Sequence, residues 1–156
     1  MKRIAIALSF LLLLPVMVWA GYNQTNPKNH VHQIHDPNNK FVQFEPLLRI
    51  GWRGSDPDLD QVKYEIKNLS DVYSITIKNV RVLAKDGSTA WSASPNQTIG
   101  KKSTGKKEWR GDDMVKKKIK RDNAKLEFDI DCGGKMWRLY WNPAVSGGAS
   151  TSVGAI

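Results

Sequence analysis

The most informative pattern lies in the middle and at the end of the chain. Val62, Tyr64 and Ile66 alternate with Lys63, Glu65 and Lys67, a period of two that gives a strand one apolar and one wet face. Asn68 to Asp71 has turn chemistry. Tyr73, Ile75 and Ile77 then alternate again, and the apolar set resumes one position out of phase at Val80 and Val82. A single extra residue at Lys78-Asn79, a β-bulge, accounts for the slip. Asp86-Gly87 suits a hairpin turn, with Thr89 to Ala93 as the return strand. Leu126, Phe128 and Ile130 alternate with Lys125, Glu127, Asp129 and Asp131, and Cys132-Gly133-Gly134 turns the chain. Met136 to Trp141 returns with apolar or aromatic side chains on both faces, so it should be covered on both sides or present aromatics to a partner.

The rest is punctuation around these pairs. Phe41, Phe44, Leu47, Leu48, Ile50 and Trp52 predict a first strand or two around Pro46, and Arg53 to Asp60 reads as a turn. Ser94 to Lys107 is rich in Ser, Pro, Gly and Lys and reads as a long loop. Residues 21–40, polar and rich in Asn and His, read as an arm without elements; residues 144–156, rich in Gly, Ser and Ala, read as a flexible tail. No window of eleven mature residues holds a helical stripe. The expectation is an all-β chain with a single immunoglobulin-like β-sandwich over 41–143.

The run from Tyr64 to Asp71, followed by Ile77 to Ser88, resembles the strand, Asn-Ser turn, second strand and Asp-Gly hairpin of small bacterial extracytoplasmic immunoglobulin-like modules of the FxLyD type. The aromatic-x-Leu-Tyr-Asp run of that type is absent, with Val82 to Asp86 in its place. The resemblance implies a sandwich used for interaction in the cell envelope and transfers no catalytic residue.

Met1-Lys2-Arg3 is positive, Ile4 to Val18 is almost wholly apolar, and small residues occupy positions 18 and 20. That is the anatomy of a secretory signal peptide over 1–20. Ser9 and Pro15 break the apolar run, which falls short of the roughly 20 residues a membrane helix needs. The expected product is periplasmic or secreted, without a stable membrane anchor. In a eukaryotic host, Asn23, Asn68 and Asn96 would head glycosylation sequons.

Composition sharpens this picture in one place. The chain has 156 residues, 24 Lys and Arg against 15 Asp and Glu, and one Cys, which excludes an intramolecular disulfide framework. Ten of the basic residues (Lys101, Lys102, Lys106, Lys107, Arg110, Lys116, Lys117, Lys118, Lys120 and Arg121) fall in one stretch with Trp109, against Glu108, Asp112 and Asp113. Outside that stretch and the leader, charges balance. A local cationic segment attracts polyanions through counterion release and local potential. It predicts an envelope polyanion or an acidic protein surface as partner, with nucleic acid admissible but not favoured. A Lys-rich edge strand that blocks sheet-to-sheet pairing explains the same residues without a ligand. Trp52, Trp91, Trp109, Trp137 and Trp141 are first of all core material.

The remaining motifs carry less. His30, His32 and His35 beside Asp36 admit Zn²⁺ or Cu²⁺ in an extended segment, but two-ligand or flexible sites bind weakly, no fourth ligand can be named, and a solvated polar arm accounts for them without a metal. They define the alternative function, a small secreted metal-dependent hydrolase or toxin. Gly100 to Lys106 matches most of a phosphate-binding loop, yet Lys107 replaces the hydroxyl residue that would hold Mg²⁺ and the flanking strand and helix are not visible. Ser146 lacks the strand-to-helix turn of a nucleophile elbow. Alternation sends Asp129 and Asp131 to the wet face as solvated charge, and Cys132 in its Gly-rich turn should be accessible, as a free thiol or an intermolecular bridge. No catalytic, cofactor or metal site is assigned. The function expected is a non-enzymatic binding module.

Overall fold

The two-residue alternation becomes two antiparallel sheets packed face to face. The computed structural model describes residues 22–26, 30–52, 59–111, 124–143 and 151–156. The first sheet contains β1 (Tyr22–Thr25), β2 (His32–His35), β3 (Phe41–Trp52), β4 (Leu59–Asn68) and β8 (Thr104–Arg110). The second contains β5 (Ile75–Leu83), β6 (Thr89–Ala93), β7 (Gln97–Ile99), β9 (Lys125–Cys132), β10 (Lys135–Trp141) and β11 (Thr151–Ala155). The first runs β1-β3-β4-β8 with β2 also on β3; the second runs β11-β10-β9-β5-β6 with β7 also on β5. The expected two-layer all-β sandwich is the observed architecture.

Its core is the inward set of each strand. Val62, Tyr64 and Ile66 face Leu126, Phe128 and Ile130 across the layers with Ile75, Ile77, Val80 and Val82, all fully buried. Each such Ile, Leu or Phe stabilises the fold by about 1.5–3 kcal/mol relative to exposure. The change of phase in β5 is the expected bulge. Ile77 pairs with Ile130 and Asn79 with Asp129, so Lys78 is the extra residue and both apolar sets stay inside. Gly87, with φ +81°, makes the β5–β6 hairpin, closed by Ala84 N–H donating to the Ser88 carbonyl.

Four expectations of the fold change, those for the arm, the tail, the long loop and Cys132. Residues 41–52 form one strand, within the strand or two expected there, and Pro46 lies inside it. β1 pairs with residues 49–52 and β2 with residues 41–44, leaving a gap between them. Asn26 fills that gap, its side chain donating to the Pro46 carbonyl and accepting from Leu48 N–H. The absent N–H of proline therefore interrupts no ladder. The segment read as an arm carries β1 and β2, and the segment read as a tail carries β11, which pairs with β10 along its whole length. The segment read as a long loop carries β7 and β8.

The fourth change is Cys132. It continues the Leu126, Phe128, Ile130 series and is fully buried. Burial, reinforced by the charges of Asp36 and Asp131, pushes its thiol up to about 11. Gly133 and Gly134, at φ +62° and +92°, make the tight turn outside it.

Candidate functional site

The cationic segment begins at the turn between β7 and β8, and a buried asparagine holds that turn in place. Asn68, at the end of β4, is fully buried. Its amide donates to the carbonyls of Tyr73 (2.7 Å), Gly100 (3.1 Å) and Ile99 (3.3 Å), and its oxygen accepts from Ser70 N–H. Asn68 N–H also donates to the Ser103 carbonyl, and Lys102 N–H to that of Ser70. The sequon at Asn68 is thus sealed inside the folded chain, whereas Asn96 is exposed.

Strand β8 then runs along the free edge of the first sheet, antiparallel to β4. Gly105 faces Ile99 so closely that a Cβ would sit 2.5 Å from Ile99 Cγ1. The missing side chain lets β7 of the second sheet close on β8. Gln97 bridges the same seam, accepting from the Tyr64 hydroxyl (2.7 Å). Burial drives the Tyr64 phenol up to about 12, so the hydroxyl is a donor throughout the physiological range. Trp109 is half-buried, its ring 5.1 Å from that of Trp91 and 6.0 Å from that of Tyr64.

The side chains named from the sequence separate into groups. Lys101 and Lys102 stand exposed on the turn, Lys106 on the outer face of β8, and Lys107 at the seam with its amine 5.8 Å from the Trp109 ring. None of these four has an ion-pair partner among the described residues. Lys102 Nζ donates instead to the Leu69 carbonyl. Arg110 is different: it pairs with Glu108, which also accepts from Gln61 and lies 4.0 Å from Lys63. Trp109 is core material that reaches the edge. Lys116, Lys117, Lys118, Lys120 and Arg121 lie outside the described residues, as do Asp112 and Asp113.

The outer face of the second sheet holds a charge cluster that sequence reasoning missed. Asp129 is 4% exposed. It accepts from Arg138 (2.7 Å), Arg81 (2.9 Å) and Asn79 (3.1 Å), while Glu127 lies 3.2 Å from Arg81 and 3.6 Å from Arg138. Alternation correctly sends Asp129 to the outer face, but the two arginines lie over it and take it from water. Burial alone would raise its carboxyl, and the hydrogen bonds from Arg138, Asn79 and Arg81 outweigh that and hold it below the ordinary value. Half of this cluster was legible. The two-residue turn at Gly133-Gly134 fixes the β9–β10 register and sets Arg138 opposite Asp129; Arg81 comes from a distant strand with no local signal.

His32 and His35 are not on a solvated arm but in β2 and half-buried, whereas His30 precedes the strand and is exposed. Along β2, His32 lies on the side of Ile34 and His35 on the other. The Thr151 hydroxyl of β11 sits 2.5 Å from His32 Nε2 and 3.4 Å from His30 Nδ1, and the two rings are 5.6 Å apart. His35 turns toward β10. Its Nδ1–H donates to the Asp36 carbonyl, Nε2 accepts from Lys135 (3.0 Å), and its own carbonyl accepts from the Trp137 indole. Burial, and then the charge of His30, lower the pKa of His32. Asp36 is occupied by the backbone N–H groups of Asn38 and Lys40. Among the described residues no three His, Cys, Asp or Glu side chains converge as metal ligands. A cleft of about 230 Å³ between β9, β10 and β11, lined by Lys125, Glu127, Tyr140, Trp141 and Ser152, contains none of the histidines.

No family model, curated protein or solved structure matches the chain. The functional reading therefore rests on the side chains described above. Among the described residues no helix is long and apolar enough to cross a membrane.

Proposed function

We propose that the protein is an exported, non-enzymatic binding module that recognises an acidic macromolecule through the β7–β8 turn and the β8 edge. The observation that carries this reading is the quartet Lys101, Lys102, Lys106 and Lys107, exposed along one edge without a carboxylate partner among the described residues. Their charge is solvated and available. A polyanion gains from each by releasing condensed counterions, with little cost in desolvation. The leader over 1–20 and the likeness of residues 64–88 to immunoglobulin-like envelope modules support an extracytoplasmic setting.

Elution from immobilised heparin tests the reading. Lys106→Gln with Lys107→Gln should elute at clearly lower salt than the unsubstituted protein, because two of the phosphate- or sulfate-pairing cations are gone. Unchanged elution would remove the edge from the argument.

A further inference from the structure

We infer that the end of the sandwich carrying the Lys101-Lys102 turn docks on an anionic lipid bilayer. The inference rests on the reading above in taking Lys101 and Lys102 as contact groups, and it names the acidic surface. The turns over residues 36–40, 69–74, 100–103 and 132–135 and residue 156 meet at this end. Lys102 is bound to Leu69 and Ser70, and the Lys40 amine stands 5.5 Å from the Tyr73 ring. Gly133 packs on Asp36, where a Cβ would lie 3.2 Å from the aspartate Cβ. Ile156 N–H donates to the Met136 carbonyl. The His35 ring joins Phe41 (5.9 Å) to Trp137 (4.9 Å), and the Lys135 amine covers Trp137 at 4.9 Å.

Two properties coincide there. Phe41 (60% exposed), Val72 (52%) and Ile156 (55%) are three of the five large apolar side chains that the described residues leave in water. Lys40, Lys101, Lys102 and Lys135 supply four positive charges beside them. The carboxylates at the same end are mostly engaged. Asp36 is buried under its own turn, and Asp131 lies 3.7 Å from Lys78 and accepts from Gly134 N–H. Asp71 is the one side-chain carboxylate among the described residues that is open there.

A soluble polyanion would satisfy the lysines and leave Phe41 and Val72 wet. A bilayer with anionic headgroups satisfies both, because it presents negative charge directly above a layer that accepts apolar side chains. No membrane-spanning element is needed for this mode, in which several weak contacts act together.

The test sediments the full chain with vesicles of phosphatidylcholine alone and of phosphatidylcholine mixed with phosphatidylglycerol, beside heparin and polyglutamate columns. Binding is expected only to the mixed vesicles and should fall as salt rises. Phe41→Ser with Val72→Ser should weaken it roughly tenfold while leaving heparin elution unchanged; both side chains are exposed, so the fold should persist, checked by thermal melting. Lys40→Gln with Lys101→Gln should weaken it by about fivefold per lysine. Vesicle binding indifferent to the serine pair would overturn the inference in favour of plain charge adsorption. Absence of vesicle binding with heparin retention intact would overturn it and spare the broader reading. Retention on polyglutamate with none on vesicles would replace the bilayer by an acidic protein. Loss on every support would overturn both readings.

Discussion

Arg81 and Arg138 on the second sheet each reach two carboxylates, Glu127 and Asp129, whereas Lys101, Lys102, Lys106 and Lys107 on the edge of the first reach none among the described residues. Burial separates them. The arginine side chains are largely covered, and Asp129 almost completely. In that setting a cation without its counterion is costly, so the cluster must be complete. The lysines stand in water, where an ion pair contributes little and its absence costs little. The arginine cluster is therefore part of the fold, and the lysine edge contributes little to it. Total charge alone would not distinguish the two; the number of polar partners within reach does.

The largest expected effect that tests this contrast is in the cluster. Asp129→Ala leaves two covered guanidinium groups with Glu127 alone and should destabilise the protein by about 2–4 kcal/mol, read from the shift in urea midpoint. Titration with acid should follow the same logic at smaller amplitude. The Asp129 carboxyl is held below its ordinary 3.8 in the fold, so its contribution is complete above that value and is lost as pH falls through the lower folded value. His32 acts earlier, since its folded pKa is lowered from 6.5. As pH drops below 6.5 the unfolded chain takes up that proton first and stability begins to fall. Asp129→Asn should flatten the lower part of the stability curve and leave the histidine part in place. The smallest effect belongs to the edge. Lys106→Gln with Lys107→Gln should change stability by no more than about 0.5 kcal/mol, and a loss of several times that would mean the edge is structural after all.

What could be read from the chain follows how each strand is covered. β4, β5 and β9 lie inside their sheets with one face on the core, so Val62 to Ile66, Ile75 to Val82 and Leu126 to Ile130 show the alternation openly, and even the bulge at Lys78 was visible. The strands that escaped notice are short or at an edge. β2 has Ile34 as its one buried residue, and β11 has Thr151, so neither leaves a period to detect. β8 is hidden for another reason: its inward series is Gly105, Lys107 and Trp109, in which glycine is required by Ile99 and lysine lies at the open seam. Composition therefore marks the segment as a loop while pairing with β4 makes it a strand. The candidate site was legible as charge and not as shape. Nothing local announced that Lys40 and Lys135, far from the cationic segment in sequence, share one end of the sandwich with Lys101 and Lys102.

The one cysteine thiol of the chain, Cys132, lies buried at the end of β9, and its placement has a chemical corollary. Two folded copies cannot be joined through it in an oxidising medium, and alkylating reagents meet it only when β9 separates from its neighbours. The rate at which an added maleimide disappears into the protein therefore clocks the opening of this end of β9, with no label to engineer.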